Sequence, residues 1–241
     1  LIILPRGVLH EIFYQKKKVS QFGRTYYDGI SIQNIRKSTR AAMLGDSYEY
    51  DMKSSVVAWK LGYAQHYINT IKKLKNSSVE SVFPMCYQYW EDKSVLIDKI
   101  KVQVFLANTY VDLEEQTVLI KSALTALNFG AKLSTAAYKD ESNKEHYPAI
   151  KKIIIDYGES KRFINTPEVK DFVKEQSKLN KIINEIETAK DPSLKTKDFL
   201  LSKTGNMNKL KLYAYLYQHE EMRVMDIFRR HAKNNNHIIL A

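Results

Sequence analysis

Hydrophobic positions recur along this chain with two different periods, and the switch between them outlines the expected elements. "SYEYDM" alternates Tyr48, Tyr50 and Met52 against Ser47, Glu49 and Asp51, the two-residue repeat of a strand. From 54 to 75 the apolar set Val56, Val57, Leu61, Ala64, Ile68 and Ile71 falls on one side of a 3.6-residue repeat and predicts a helix. "DLEEQTVLIKSALTALNFGA" is the clearest helix. Asp112 is placed to cap it, Glu114 and Glu115 sit in the first turn where the helix dipole favours them, and Gly130 marks its end. Leu113, Ile120, Leu124 and Leu127 share a face expected to pack inward.

The remaining pattern is coarser. Residues 1–22 read as a helix or loop leading into a turn at Gly23, and "IQNIRKSTRAAML" stops at the Gly45-Asp46 turn. A charged loop is expected over 139–149, then helices over 149–157 and 167–189, the second opened by Pro167. The stretch "AKDPSLKTKDFLLSKTGNMN" resembles a linker. A last long helix is expected from about Lys209 to Lys233, broken by "NNN" before a strand-like "HIILA". The chain shows no internal repeat. The fold class expected is mixed α/β and helix-rich.

Charge changes this picture. Lys plus Arg number 38 against 27 Asp plus Glu, a net charge of +11. The excess is spread along the chain, which suits a surface that meets a polyanion better than a basic tail does. Cys86 is the only cysteine, so no internal disulfide or thiolate metal cluster can form, in keeping with a reducing cytoplasm. No apolar run approaches the ~18 residues of a membrane span, so no membrane partner is expected. "LIILPRGVLH" carries neither an initiator Met nor a signal-peptide pattern, and the chain reads as a piece of something longer. There is no P-loop, GxGxxG or HExxH spacing. Met222, Met225, Trp59 and Trp90 are expected to pack.

One helical face holds candidate chemistry. At about 100° per residue, Lys121, Thr125 and Phe129 lie within about 80° of one another. They offer a cation, a hydroxyl and an aromatic ring, followed by Gly130 where a partner can approach closely. A nucleotide needs charge for its triphosphate and a flat surface for its base. The same pattern also describes an amphipathic helix with an exposed lysine.

"GRTYYDGISIQN", "YEYDMKSSVVAWKLG" and "KSALTALNFGA" occur in the order and at the approximate spacings of palm and fingers motifs. In these segments the chain resembles the polymerase superfamily that joins family A DNA polymerases to phage-type single-subunit RNA polymerases. Gly23-Arg24 ahead of Ile32-Gln33-Asn34 is similar to the Gly-Arg turn and Leu-Gln-Asn segment of the DNA polymerases, and Gly23-Arg24-Thr25-Tyr26 to the Gly-Arg-x-Tyr of the RNA polymerases. Asp51 matches the family's metal-binding Asp at a strand end. Lys121 precedes Phe129 by eight residues, the spacing of the RNA-polymerase fingers helix. In the DNA-polymerase register Thr125 takes the Lys position.

The resemblance implies a palm over 1–64, a helical fingers region over 65–205 with its nucleotide-binding helix at 113–130, and a returning palm over 206–241. It implies two-metal phosphoryl transfer with two Mg²⁺ ions. Asp51 would bridge both ions, helped by the Met52 carbonyl, and Lys121 would act catalytically on the triphosphate beside Thr125, Phe129 and Gly130. Arg24, Gln33, Asn34 and Arg40 would hold template and primer by phosphates and sugars, and Gln218 and His219 would touch the minor groove. The partners implied are a primer and template and nucleoside triphosphates, in a cytoplasmic location compatible with a phage or plasmid gene.

The departures are specific. The DNA polymerases place a Glu five residues after the metal Asp, where Val56 stands here, and Phe129 replaces the usual Tyr of the RNA polymerases. Neither decides between dNTP and NTP. The family's second metal Asp follows a helix and strand that resemble residues 215–241, and a following segment or another chain is expected to supply it. His219-Glu220 could pass for the family's His-Asp pair, but sits within a helical pattern. A DNA polymerase is the favoured reading. The alternatives are a phage-type RNA polymerase or primase core, and a catalytically incomplete nucleic-acid-binding module. A purely structural helical protein is the remaining option.

Overall fold

A computed structural model of the chain describes residues 2–3, 9–10, 54–71, 77–107, 109–139, 143–202 and 204–234. It separates into two compact units, Leu1–Asp51 with Lys211–Ala241, and Met52–Leu210. The described residues are rich in helix, with two small two-stranded antiparallel sheets.

In the first unit, β1 (Ile2–Ile3) pairs antiparallel with β2 (Leu9–His10), with Ile2 opposite His10 and Ile3 opposite Leu9. Residues 2–3 and 9–10 are therefore strand, not the helix or loop expected of 1–22. The strand expected at 47–52, the turns at Gly23 and Gly45-Asp46, and "HIILA" lie outside the described residues.

The second unit is helical. It contains α1 (Ser55–His66), α2 (Val79–Val82), α3 (Pro84–Glu91), α4 (Lys93–Val104), α5 (Leu113–Asn128), α6 (Ala149–Ile153), α7 (Tyr157–Asn165) and α8 (Pro167–Lys190). The sequence marks most of these starts by local chemistry. Asp92, Asp112 and Asp156 accept from Ser94 N, Glu115 N and Glu159 N, and Ser78 and Ser81 close a reciprocal capping box. Pro167 opens α8, where a missing N–H costs nothing.

α8 is the centre of the unit and packs against α1, α3, α4, α5 and α7. Its Val169, Phe172, Leu179 and Ile183 are fully buried, as are Leu96 and Ile100 of α4, Ile120 and Leu124 of α5, and Phe163 of α7. Tyr89 meets Phe172 with ring centroids 5.4 Å apart. A fully buried ring of this kind is worth roughly 1.5–3 kcal/mol relative to leaving it in water.

Several expectations need correction. The helix expected over 54–75 keeps Val57, Leu61, Ala64 and Ile68 inward, but α1 stops at His66 and continues as a π-helical turn, Tyr67–Ile71. Val56 is only half-buried. Leu113 is 72% exposed. The first inward position of α5 is Gln116, whose amide donates to Val111 O at 2.8 Å. The charged loop contains a hairpin, β3 (Tyr138–Lys139) against β4 (Glu145–His146), and the helix expected over 149–157 is two, α6 and the start of α7. The linker-like stretch carries two 3-10 turns, Pro192–Lys195 and Asp198–Leu200, and a Leu201–Met207 bridge. α9 (Lys209–Asn234) is the expected last helix.

Candidate functional site

α5 ends where its sequence says it should. Phe129 is the C-cap, and Gly130 follows with φ +88°, a left-handed conformation that costs an L-residue with a side chain roughly 1–2 kcal/mol. Gly130 N–H donates to Leu127 O at 2.9 Å and Ala131 N–H to Ala126 O at 3.0 Å, the paired bonds of a Schellman closure. A Cβ here would run into Leu210 Cδ2, the tip of a half-exposed side chain that can swing away, so the backbone conformation rather than space sets the demand for glycine.

The outer face of α5 forms a solvent-facing groove of about 460 Å³ lined by Val118, Lys121, Ser122, Thr125, Ala126 and Phe129. Lys121 is exposed, and Phe129, eight residues further along the helix, is 57% exposed. Thr125 is half-buried and its hydroxyl donates back to Lys121 O at 2.8 Å, which fixes its rotamer and leaves oxygen lone pairs toward the groove. Three of the residues singled out from sequence thus line one groove, and Gly130 follows Phe129 without lining it.

The other expected site residues are placed as follows. Arg24, Gln33, Asn34, Arg40, Asp51 and Met52 lie outside the described residues. Val56 is half-buried near the start of α1. Gln218 and His219 lie on α9, His219 exposed and edge-on to the Tyr215 ring at 4.4 Å. Glu220 shares α9 with them, 3.5 Å from Arg223 Nη1, so the His219-Glu220 pair is helical. Tyr213 of the same helix has its hydroxyl pushed up to about 12 by burial. Met222 and Met225 are half-buried. Trp59 meets Tyr63, and the part-exposed Trp90 meets Tyr87, each edge-on at 5.4 Å.

A buried polar node was missed from sequence. Lys60 is 2% exposed. Its ammonium donates to Gln176 Oε1 at 2.6 Å and to Asn128 O at 2.9 Å. Gln176 Nε2 donates to Cys86 Sγ at 3.3 Å. Glu175 accepts from the Met85 and Cys86 backbone N–H groups at 3.2 and 2.9 Å, capping the first turn of α3 from another helix. Burial lowers the Lys60 ammonium from 10.5 to about 8, the nearby Cys86 working weakly the other way. Burial first, then the Glu175 charge, pushes the Cys86 thiol well above its ordinary value. A signal existed in the sequence: Lys60 sits on the same stripe as Val57, Leu61, Ala64 and Ile68, where an exposed lysine would not be.

Mg²⁺, implied by the resemblance, would be held by Asp51, outside the described residues. Among the described residues no group of three or more His, Cys, Asp or Glu gathers as a metal site, and no helix is long and apolar enough to cross a membrane. Compared with known proteins, the chain matches no family model, no curated protein and no solved structure.

Proposed function

We propose that this chain carries the palm and fingers of a template-directed nucleotidyltransferase, a nucleic-acid polymerase, with α5 presenting the nucleotide-binding face. The observation that carries the reading is the groove itself. Lys121, Thr125 and Phe129 line one solvent-facing hollow, and Gly130, in a left-handed conformation, follows Phe129.

Each group has a task that its chemistry suits. Lys121 neutralises charge on the triphosphate, a role whose removal costs on the order of 3 kcal/mol of transition-state stabilisation. The exposed Phe129 ring gives the base or sugar a flat apolar surface. The Thr125 oxygen accepts from a nucleotide hydroxyl, and Gly130 lets the ligand approach the backbone. Mg²⁺, when bound, would activate the attacking hydroxyl and stabilise the leaving pyrophosphate. Asp51 is the proposed ligand, and a second carboxylate comes from outside the described residues. The +11 charge and the ordered motifs support nucleic acid as the partner, with Arg24, Gln33, Asn34, Arg40, Gln218 and His219 as proposed contacts.

Primer extension by the full-length protein and its Asp51→Asn variant tests this. Extension should vanish in the variant while duplex affinity stays within about twofold, since the substitution removes a metal charge and little binding surface. Extension within about tenfold of wild type would remove Asp51 from the chemistry. Salt-sensitive duplex binding by a wild-type protein that adds no nucleotide would favour the binding module instead.

A further inference from the structure

The carbonyls at the C-terminal end of α5 can be assigned to donors one by one. Thr125 O accepts from Phe129 N–H at 3.2 Å, Leu127 O from Gly130 N–H and Ala126 O from Ala131 N–H. The remaining one, Asn128 O, is where the Schellman closure supplies nothing. Its donor is Lys60 Nζ, from the middle of α1 and 68 residues away in sequence.

Lysine is among the residues least often buried. A Leu or Met at 60 would fill similar space without desolvating a charge, but neither could reach Asn128 O or Gln176 Oε1. The ammonium also stands at the negative end of the α5 dipole. The peptide plane matters most. Asn128 C=O and Phe129 N–H belong to one rigid amide, so Lys60 grips one side of the plane while Thr125 O holds the other through a comparatively long bond.

We propose that Lys60 is a positioning residue for the groove: by holding Asn128 O it locks the last turn of α5 onto α1 and α8, and so fixes where Phe129 and Gly130 stand. The proposal rests on the reading of α5 as the nucleotide-binding face. Arg162 offers an internal comparison. Its Nε donates to Val104 O at 2.6 Å, capping α4 from α7 in the same manner, but Val104 does not line the groove.

Hydrogen exchange and triphosphate binding, measured on Lys60→Met, Arg162→Met and Phe129→Ala, test it. In Lys60→Met, amides 129–131 should exchange about tenfold faster while amides 116–124 stay within about twofold. Triphosphate affinity should fall about fivefold or more at unchanged duplex affinity. Arg162→Met should loosen the end of α4 and leave triphosphate affinity alone. Should Lys60→Met fail to fold, Lys60→Gln and Gln176→Met carry the same comparison with smaller expected effects. The proposal is overturned if exchange rises uniformly across α1, α5 and α8, or not at all at 129–131. It is equally overturned if triphosphate affinity is unchanged in Lys60→Met though Phe129→Ala weakens it. If Phe129→Ala leaves that affinity unchanged, the nucleotide-face reading falls, while the exchange at 129–131 still decides whether Lys60 holds the turn.

Discussion

Replacing Lys60 by methionine should destabilise the protein by an amount that grows as pH rises. The fall of the Lys60 pKa from 10.5 to about 8, at about 1.36 kcal/mol per unit, corresponds to about 3 kcal/mol against burying the charged form. Because the folded value lies below the unfolded one, the folded state binds fewer protons between the two. That penalty is therefore fully present below pH 8 and fades as pH rises from 8 to 10.5. Methionine removes the penalty, but orphans Asn128 O and Gln176 Oε1, at about 1–3 kcal/mol each. At pH 7 the two effects nearly offset and the variant should lose about 1 kcal/mol. At pH 10 the wild-type amine is mostly neutral yet still donates, and the loss should reach about 3 kcal/mol. The facing titratable groups are Cys86 on α3 and Glu175 on α8. The raised Cys86 thiol pulls stability down above its unfolded value, so both proteins are best compared in a Cys86→Ala background. Urea unfolding at pH 7, 8, 9 and 10 gives the difference directly. A gap that stays constant or narrows with pH would refute the reasoning about Lys60.

Gly130→Ala should cost about 1–2 kcal/mol from the left-handed φ alone, with Leu210 forced aside in addition, whereas Gly62→Ala, on an open face of α1, should stabilise by about 0.5–1 kcal/mol; thermal or urea unfolding of the two variants checks both signs. Nucleic-acid affinity should fall steeply between low and moderate salt, as expected when a protein of net charge +11 releases counterions from phosphates, and a flat response would remove the polyanion from the account.

What the sequence made legible is the chemistry that acts within one turn. Asp112 caps α5 because its carboxylate reaches an N–H three residues on, Gly130 ends it because only glycine takes that φ without strain, and Pro167 opens α8. These need no knowledge of neighbours. The groove was legible for the same reason, since Lys121, Thr125 and Phe129 share a helical face whatever packs behind it. Lys60 is a different case. Its inward turn depends on an acceptor 68 residues away, so residue type argued for solvent while the stripe from Val57 to Ile68 argued for the core. Gln176 repeats the conflict between Phe172 and Leu179 on α8. Both conflicts mark one node, and a polar residue on each of two apolar stripes was the signal that the helices carrying them meet. Leu113 fails the other way: its angle is right, but it is 72% exposed while Gln116 takes the first inward position of α5. The hairpin Tyr138–Lys139 with Glu145–His146 is too short for alternation to show.

Photo-crosslinking with an azido nucleoside triphosphate addresses the α5 face most directly. The label should fall within residues 118–131, be competed by unlabelled triphosphate far better than by monophosphate, and drop by about a hundredfold in affinity in Lys121→Ala, the equivalent of about 3 kcal/mol. Labelling elsewhere, or labelling within 118–131 that Lys121→Ala leaves unchanged, would contradict the assignment of this groove to a nucleotide.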